Sequence, residues 1–267
     1  MSNHYEQRLQ QDLDWIGELI ERVGEQLVTT LSKAVECVLQ TDPQLAAQTI
    51  LSDYTINRQT RELDRLCHAF VARHLPSAGH LRYVSSALRL NIALERIGDY
   101  ATTIARTAAH LSEPPPQAVY RDIEMMAEQA RRMLADSLAA FSGRDESRAA
   151  TTIRAANQFA PYFDRVFNDL VEAGEEQSRP VKDLYGLIAT FKRLERVIHQ
   201  AKNICEETVF VVTGTPKGEK RFHILFVDEK NDGASQLAEH FTRKAFPNSG
   251  TYESAGWAPA DEIRPEF

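Results

Sequence analysis

The amino-acid sequence predicts an all-α protein, two pseudo-symmetric three-helix bundles in tandem, carrying a short C-terminal α/β fragment. Three observations carry this prediction. Apolar residues recur at three- and four-residue steps, with few breaks, as far as about residue 212, the spacing of amphipathic helices. The stretch LERIGDYATTIA at 94–105 returns as LERVIHQAKNIC at 194–205. After Gly214 the period changes to a short apolar run, Phe222 to Val227, of the kind a buried strand carries.

Each element has its own signal. Leu13, Ile16, Leu19, Ile20, Val23, Leu27, Leu31, Val35 and Val38 form one stripe along a first helix from about Leu9 to Leu39. Thr41-Asp42-Pro43 stops it and starts the next, with Asp42 as N-cap and Pro43 at the first helical position. That second helix runs to about Leu75, where Pro76-Ser77-Ala78-Gly79 breaks the chain, and a third runs from about His80 to Leu111. Glu113-Pro114-Pro115-Pro116-Gln117 cannot be helical, because proline lacks the amide donor and clashes with the preceding turn. Three further helices follow, from about Val119 to Phe141, Glu146 to Val171, and Pro180 to Val212. The tail reads as strand, loop, helix from Ser235 to about Phe246, and a second strand near Gly250 to Ser254.

The repeat can be counted. Asp42 and Glu146, Asp53 and Asn157, Arg61 and Arg165, Leu66 and Leu170, and Pro76 and Pro180 all correspond at a shift of 104. Glu95 and Glu195 correspond at 100, so the second copy has lost four residues after its proline. Self-similarity at a fixed period outweighs the reading of any single element. The expected domains are therefore residues 1–113, 117–214 and 221–267. Leu13, Ile20, Leu27, Ile92, Ile104, Leu134 and Ile188 are expected in the cores.

Composition narrows the function. The opening segment MSNHYEQRLQQDLDW has neither a basic nor an apolar region of the secretory kind, and no apolar run approaches twenty residues. No membrane insertion is expected. A formal charge of -7 argues against nucleic acid as partner, since neutralising phosphates needs clustered Lys and Arg. Cys37, Cys67 and Cys205 fit no paired or metal spacing and read as buried free thiols in a reducing compartment. A cytoplasmic protein is expected.

Within LERIGD, Glu95 and Asp99 stand four apart, on one face of a helix, where like charges repel. Two readings are open. Arg96 neutralises one of them in an ordinary solvated ion cluster, or the carboxylates face a shared cation, as in helical bundles that build metal sites. Asp53 and Asn57 make a second such pair on the preceding helix. All four offer oxygen ligands, which suit hard or borderline divalent cations.

These residues carry a resemblance. LERIGDYATTIA, its near copy, and the closing stretch Asn203 to Gly214 resemble the PhoU family of phosphate-signalling proteins over roughly residues 5 to 214. The resemblance implies two three-helix bundles and, in each copy, a Glu/Asp-x-x-x-Asp motif that binds a multinuclear cluster of iron, zinc or related metal ions. It implies a negative regulator of phosphate uptake and starvation signalling, linking a Pst-type importer, through its ATPase, to a PhoR-type sensor histidine kinase. It further implies a homodimer, and long two-layer bundles leave apolar faces to cover. In the first copy the metal positions fall on Asp53, Asn57, Glu95 and Asp99, with Asn57 where the family has an acid. In the second, Glu195 matches, His199 stands where aspartate is expected, and Asn157 and Pro161 replace the other pair. His80 also stands where the family has aspartate. The first copy is therefore expected to hold metal more tightly than Glu195 and His199. A helical scaffold that has lost its regulation is the other reading.

The tail, HILFVDEKNDGASQLAE followed by ESAGW, resembles the start of the low-molecular-weight protein tyrosine phosphatase and arsenate reductase family. There a Cys-x5-Arg loop supplies nucleophile and anion clamp. Here Asp228 and Ala234 stand at those positions, so the resemblance implies no enzyme.

Overall fold

The computed structural model describes residues 2–176, 179–216, 218 and 221–259, in two compact units, Met1–Thr215 and Pro216–Phe267. The first unit holds six long helices: α1 (Ser2–Gln40), α2 (Pro43–His74), α3 (Ala78–Ala108), α4 (Gln117–Gly143), α5 (Glu146–Glu176) and α6 (Val181–Thr213). The turns fall where the punctuation puts them. Asp42 caps α2, its Oδ1 accepting from the amides of Gln44 at 2.9 Å and Leu45 at 3.0 Å, two of the donors a helix start leaves unpaired. Gly214 ends α6 in the left-handed region at φ 75, where a glycine is free of the Cβ penalty.

Helices α1 to α3 pack on one another, as do α4 to α6, and the two sets are joined along α3 with α6 and α1 with α4. The halves therefore meet along their length, beyond the proline link where the chain passes between them. Their buried side chains form one continuous core, from Leu13, Ile20 and Leu27 through Ile104 to Leu134 and Leu194. Each such Leu or Ile contributes on the order of 2 kcal/mol by leaving water. Ile188 packs partly buried against this core. Ile92 does not: it is 51% exposed. The inward line of α3 runs through Leu90, Asn91, Leu94, Ile97 and Ala101, and position 92 lies off it.

Polar ties fix the helix ends. Asp183, fully buried at the start of α6, accepts from the Ser112 amide through both oxygens, at 3.3 and 3.2 Å. Arg179 pairs with Glu113 and donates to the Pro114 carbonyl, so the proline link is held against the root of α6. At the other end of the chain, Asp12 takes Arg73 at 2.6 Å and the buried ring of His74 at 2.8 Å. Burial works against the charge on Asp12, but these two partners outweigh it and hold the carboxyl below its ordinary range. Cys37, Cys67 and Cys205 are free and buried, and burial pushes the Cys67 and Cys205 thiols up to about 12.

The second unit consists of β1 (Phe222–Asp228), α7 (Ala234–Ala245) and β2 (Gly250–Gly256). Its strands pair in parallel, Phe222 opposite Gly250 and Asp228 opposite Gly256. A right-handed crossover through α7 is the usual way to join such strands.

Candidate functional site

The first copy's site lies where α2 passes α3. Gly98, in the middle of LERIGD, permits a close approach: a Cβ there would lie 3.2 Å from Ile56 Cγ2 and 3.8 Å from Asp53 Oδ1. Asp53 is thereby brought onto α3, where the Thr102 hydroxyl donates to its Oδ1 at 3.2 Å. Asn57, one turn along α2, donates its amide to the other oxygen, Oδ2, at 2.8 Å. Asp99 faces the same place. Burial, then the charge of Asp53, raises its carboxyl above the ordinary range, while Arg106 pulls the other way. Glu95 sits a turn before Asp99 on the exposed side of α3.

Thus Asp53 and Asn57 are joined on α2, near enough to Asp99 for the charge of Asp53 to act on it, and Glu95 lies a turn from Asp99 along α3. Thr102 and Arg106 join the site although no sequence motif singles them out. Two carboxylates and an amide suit one hard cation with water completing its shell. The set falls short of a cage for several ions, since among the described residues no three His, Cys, Asp or Glu side chains gather closely enough to hold a metal.

The second copy is built differently at the same positions. Ile198, only 2% exposed, stands where α3 has Gly98. Glu195 is paired with Lys192, Nζ to Oε2 at 3.1 Å, and Arg196 and His199 are both exposed. Lys202 reaches from α6 to α5 and donates to Asn157 Oδ1 at 2.7 Å. Helix α5 continues through Pro161, a residue type without an amide to donate. His80 lies in the first turn of α3, away from both motifs in sequence, and is exposed.

In the tail, Asp228 ends β1 and turns into the loop before α7. Its Oδ1 accepts from the Asn231 amide at 2.5 Å and its Oδ2 from the Ser235 amide at 3.0 Å. The Ser235 amide above all, with those of Asn231 and Lys230, holds this carboxyl below its ordinary range. Loop amides of this kind are what a bound oxyanion would use; here a side chain of the protein has taken them. With Ala234 in place of an arginine, the loop has neither thiolate nor guanidinium for phosphoryl chemistry.

Taken together, the first unit is a tandem three-helix-repeat protein with a carboxylate pair on one copy. The PhoU domain family model matches it twice, over residues 20–108 and 123–208, together more than half of the chain. The chain belongs to the PhoU family. It is 30% identical over 217 residues to the phosphate-specific transport system accessory protein PhoU homolog of Pseudomonas putida, covering 80% of this chain and 84% of that one. It is 26% identical to the phosphate-specific transport system accessory protein PhoU of Escherichia coli K12, over 80% and 89% of the two chains. The crystal structure of PhoU from Pseudomonas aeruginosa superposes with a TM-score of 0.73 at 28% identity, covering 77% of this chain and 99% of that one. The tail lies outside both family matches, which give its phosphatase resemblance no support.

Proposed function

We propose that this chain is an accessory regulator of phosphate transport that restrains high-affinity uptake and starvation signalling by linking an importer ATPase to a sensor histidine kinase in the cytoplasm. The observation that carries this is the doubled domain match, in register with LERIGD and LERVIH. Relatives that match most of the chain bear the name of phosphate-transport accessory proteins. No described helix is long and apolar enough to cross a membrane, which suits a protein that meets its importer from the surface. The net charge of -7 favours basic partner surfaces and salt-sensitive association. It acts as a homodimer, for which exposed Leu51 and Tyr54 on α2 offer apolar area. In the first copy, Asp53 and Asp99, flanked by Asn57 and Glu95, take a divalent cation or an iron- or zinc-type ion.

Co-purification of the tagged chain with the importer ATPase and the sensor kinase, at high and low phosphate, tests the role. Capture of at least one of them, changing with phosphate, is expected. Capture of neither would favour the other reading, a helical scaffold without regulation, which the changed second motif supports.

A further inference from the structure

We infer that the second copy does not take a metal ion, because the ammonium groups of Lys192 and Lys202 already stand in the cation's place. The two copies align residue by residue around this point. At the shift of 100 that relates Glu95 to Glu195, Thr102 corresponds to Lys202 and Ile92 to Lys192. At the shift of 104, Asp53 corresponds to Asn157. The same inter-helix contact therefore exists in both copies with its chemistry exchanged. In the first, the Thr102 hydroxyl donates to the Asp53 carboxylate at 3.2 Å. In the second, the Lys202 ammonium donates to the Asn157 carbonyl oxygen at 2.7 Å.

The remaining acid is dealt with in the same way. Glu195 holds Lys192 at 3.1 Å, where Glu95 has the neutral Ile92 at the equivalent place. Of the three carboxylates of the first copy, Asp53, Glu95 and Asp99, the second keeps only Glu195, and it gains two ammoniums at the places of Ile92 and Thr102. Glu206 in place of Arg106 moves the balance back by two charges, yet Lys192, Glu195, Lys202 and Glu206 still sum to zero where Asp53, Glu95, Asp99 and Arg106 sum to -2. A divalent ion entering here would have to displace Lys192 from Glu195 and sit beside Lys202. Like charges at such close range repel, and the more strongly the less solvent lies between them. Packing agrees with the charge. Ile198 puts a four-carbon side chain on α6 where Gly98 lets α2 close on α3, and the long arm of Lys202 spans what the short Thr102 spans in the first copy.

Full-length protein stripped with a chelator and titrated with zinc chloride or ferrous sulfate, the bound ion then counted by elemental analysis, tests this. Glu195→Ala/His199→Ala should leave the ion count unchanged; a fall in that count overturns the inference. The converse variant, Asn157→Asp/Lys192→Ile/His199→Asp/Lys202→Thr, should gain about one ion per chain with a matching rise in melting temperature. If it folds, by helical circular dichroism, and gains none, the lysines are not what excludes the metal. Should it not fold, the milder Lys192→Ile/His199→Asp/Lys202→Thr is counted in its place: a gained ion supports the exclusion by lysine, and no gain overturns it.

Discussion

The two copies share a fold and differ in what they do with charge. In the first, a glycine lets two helices close, and the charge of Asp53 adds to burial in raising the carboxyl of Asp99. In the second, an isoleucine is buried at the glycine's place, and lysines satisfy the acid and the amide. The difference teaches that inward residues preserve an architecture while outward ones alter its chemistry, and that one position, 98 against 198, belongs to both.

Exchanging that position gives the largest expected effect. Ile198→Gly removes a buried four-carbon side chain and adds a glycine to a helix interior, at a cost of about 4 kcal/mol. Gly98→Ile places its Cβ 3.2 Å from Ile56 and costs about 2 to 3 kcal/mol of overpacking. Chemical denaturation should show both, with the loss in Gly98→Ile accompanied by loss of any ion binding at the first copy.

Next comes the tie between α1 and the end of α2. Asp12→Asn should lower stability at neutral pH by about 2 kcal/mol, since the ring of His74 is buried and loses its charged partner. The folded protein holds Asp12 with a lowered pKa, so this contribution is present above the ordinary carboxylate range and disappears as pH falls through the lowered one. Melting curves between pH 6 and 3 should therefore converge for parent and variant at the acid end. Parallel curves would assign the tie to packing alone.

Asp99→Asn should have a smaller effect of the opposite sign. The folded chain holds the Asp99 proton more firmly than the unfolded chain does, so stability falls as pH rises through this carboxyl. Without metal, in chelator, the variant should be more stable than its parent at neutral pH by less than about 1 kcal/mol, because solvent screens an exposed carboxylate. A destabilised variant would mean that Asp99 makes a favourable contact in the apo protein. Smallest of all, Lys202→Met should cost no more than about 0.5 kcal/mol, as expected for an exposed polar tie.

Much of this is legible in the sequence because local rules decide it. Asp42-Pro43 specifies a helix start through two amide hydrogen bonds, and the apolar steps of α1 match its buried line from Leu13 to Val38. Ile92 defeats such reading because it is apolar but off the inward face, and helical phase, not apolarity, decides burial. Within the site, Asp53, Asn57 and Asp99 are visible from their i, i+4 spacing. Thr102, Arg106, Lys192 and Lys202 are not, because nothing in one helix says what a side chain meets on another. The repeat holds that signal, however: positions 102 and 202 stand in register, and a change from threonine to lysine beside a change from aspartate to asparagine is a compensated pair. The amides around Asp228 belong to the same class, a loop closing on a carboxylate that spacing alone does not disclose.

The continuous core has a consequence for how such a molecule changes over generations. Because α3 and α6 bury their inner faces against each other, the second copy cannot be discarded when its chemistry is lost; Leu194, Val197 and Ala201 are still needed to complete the first. Selection on stability therefore protects one face of α6 while leaving its outer positions, 192, 199 and 202 among them, open to substitution. A duplicated motif in such a fold can drift to a new use without the chain ever passing through an unfolded ancestor.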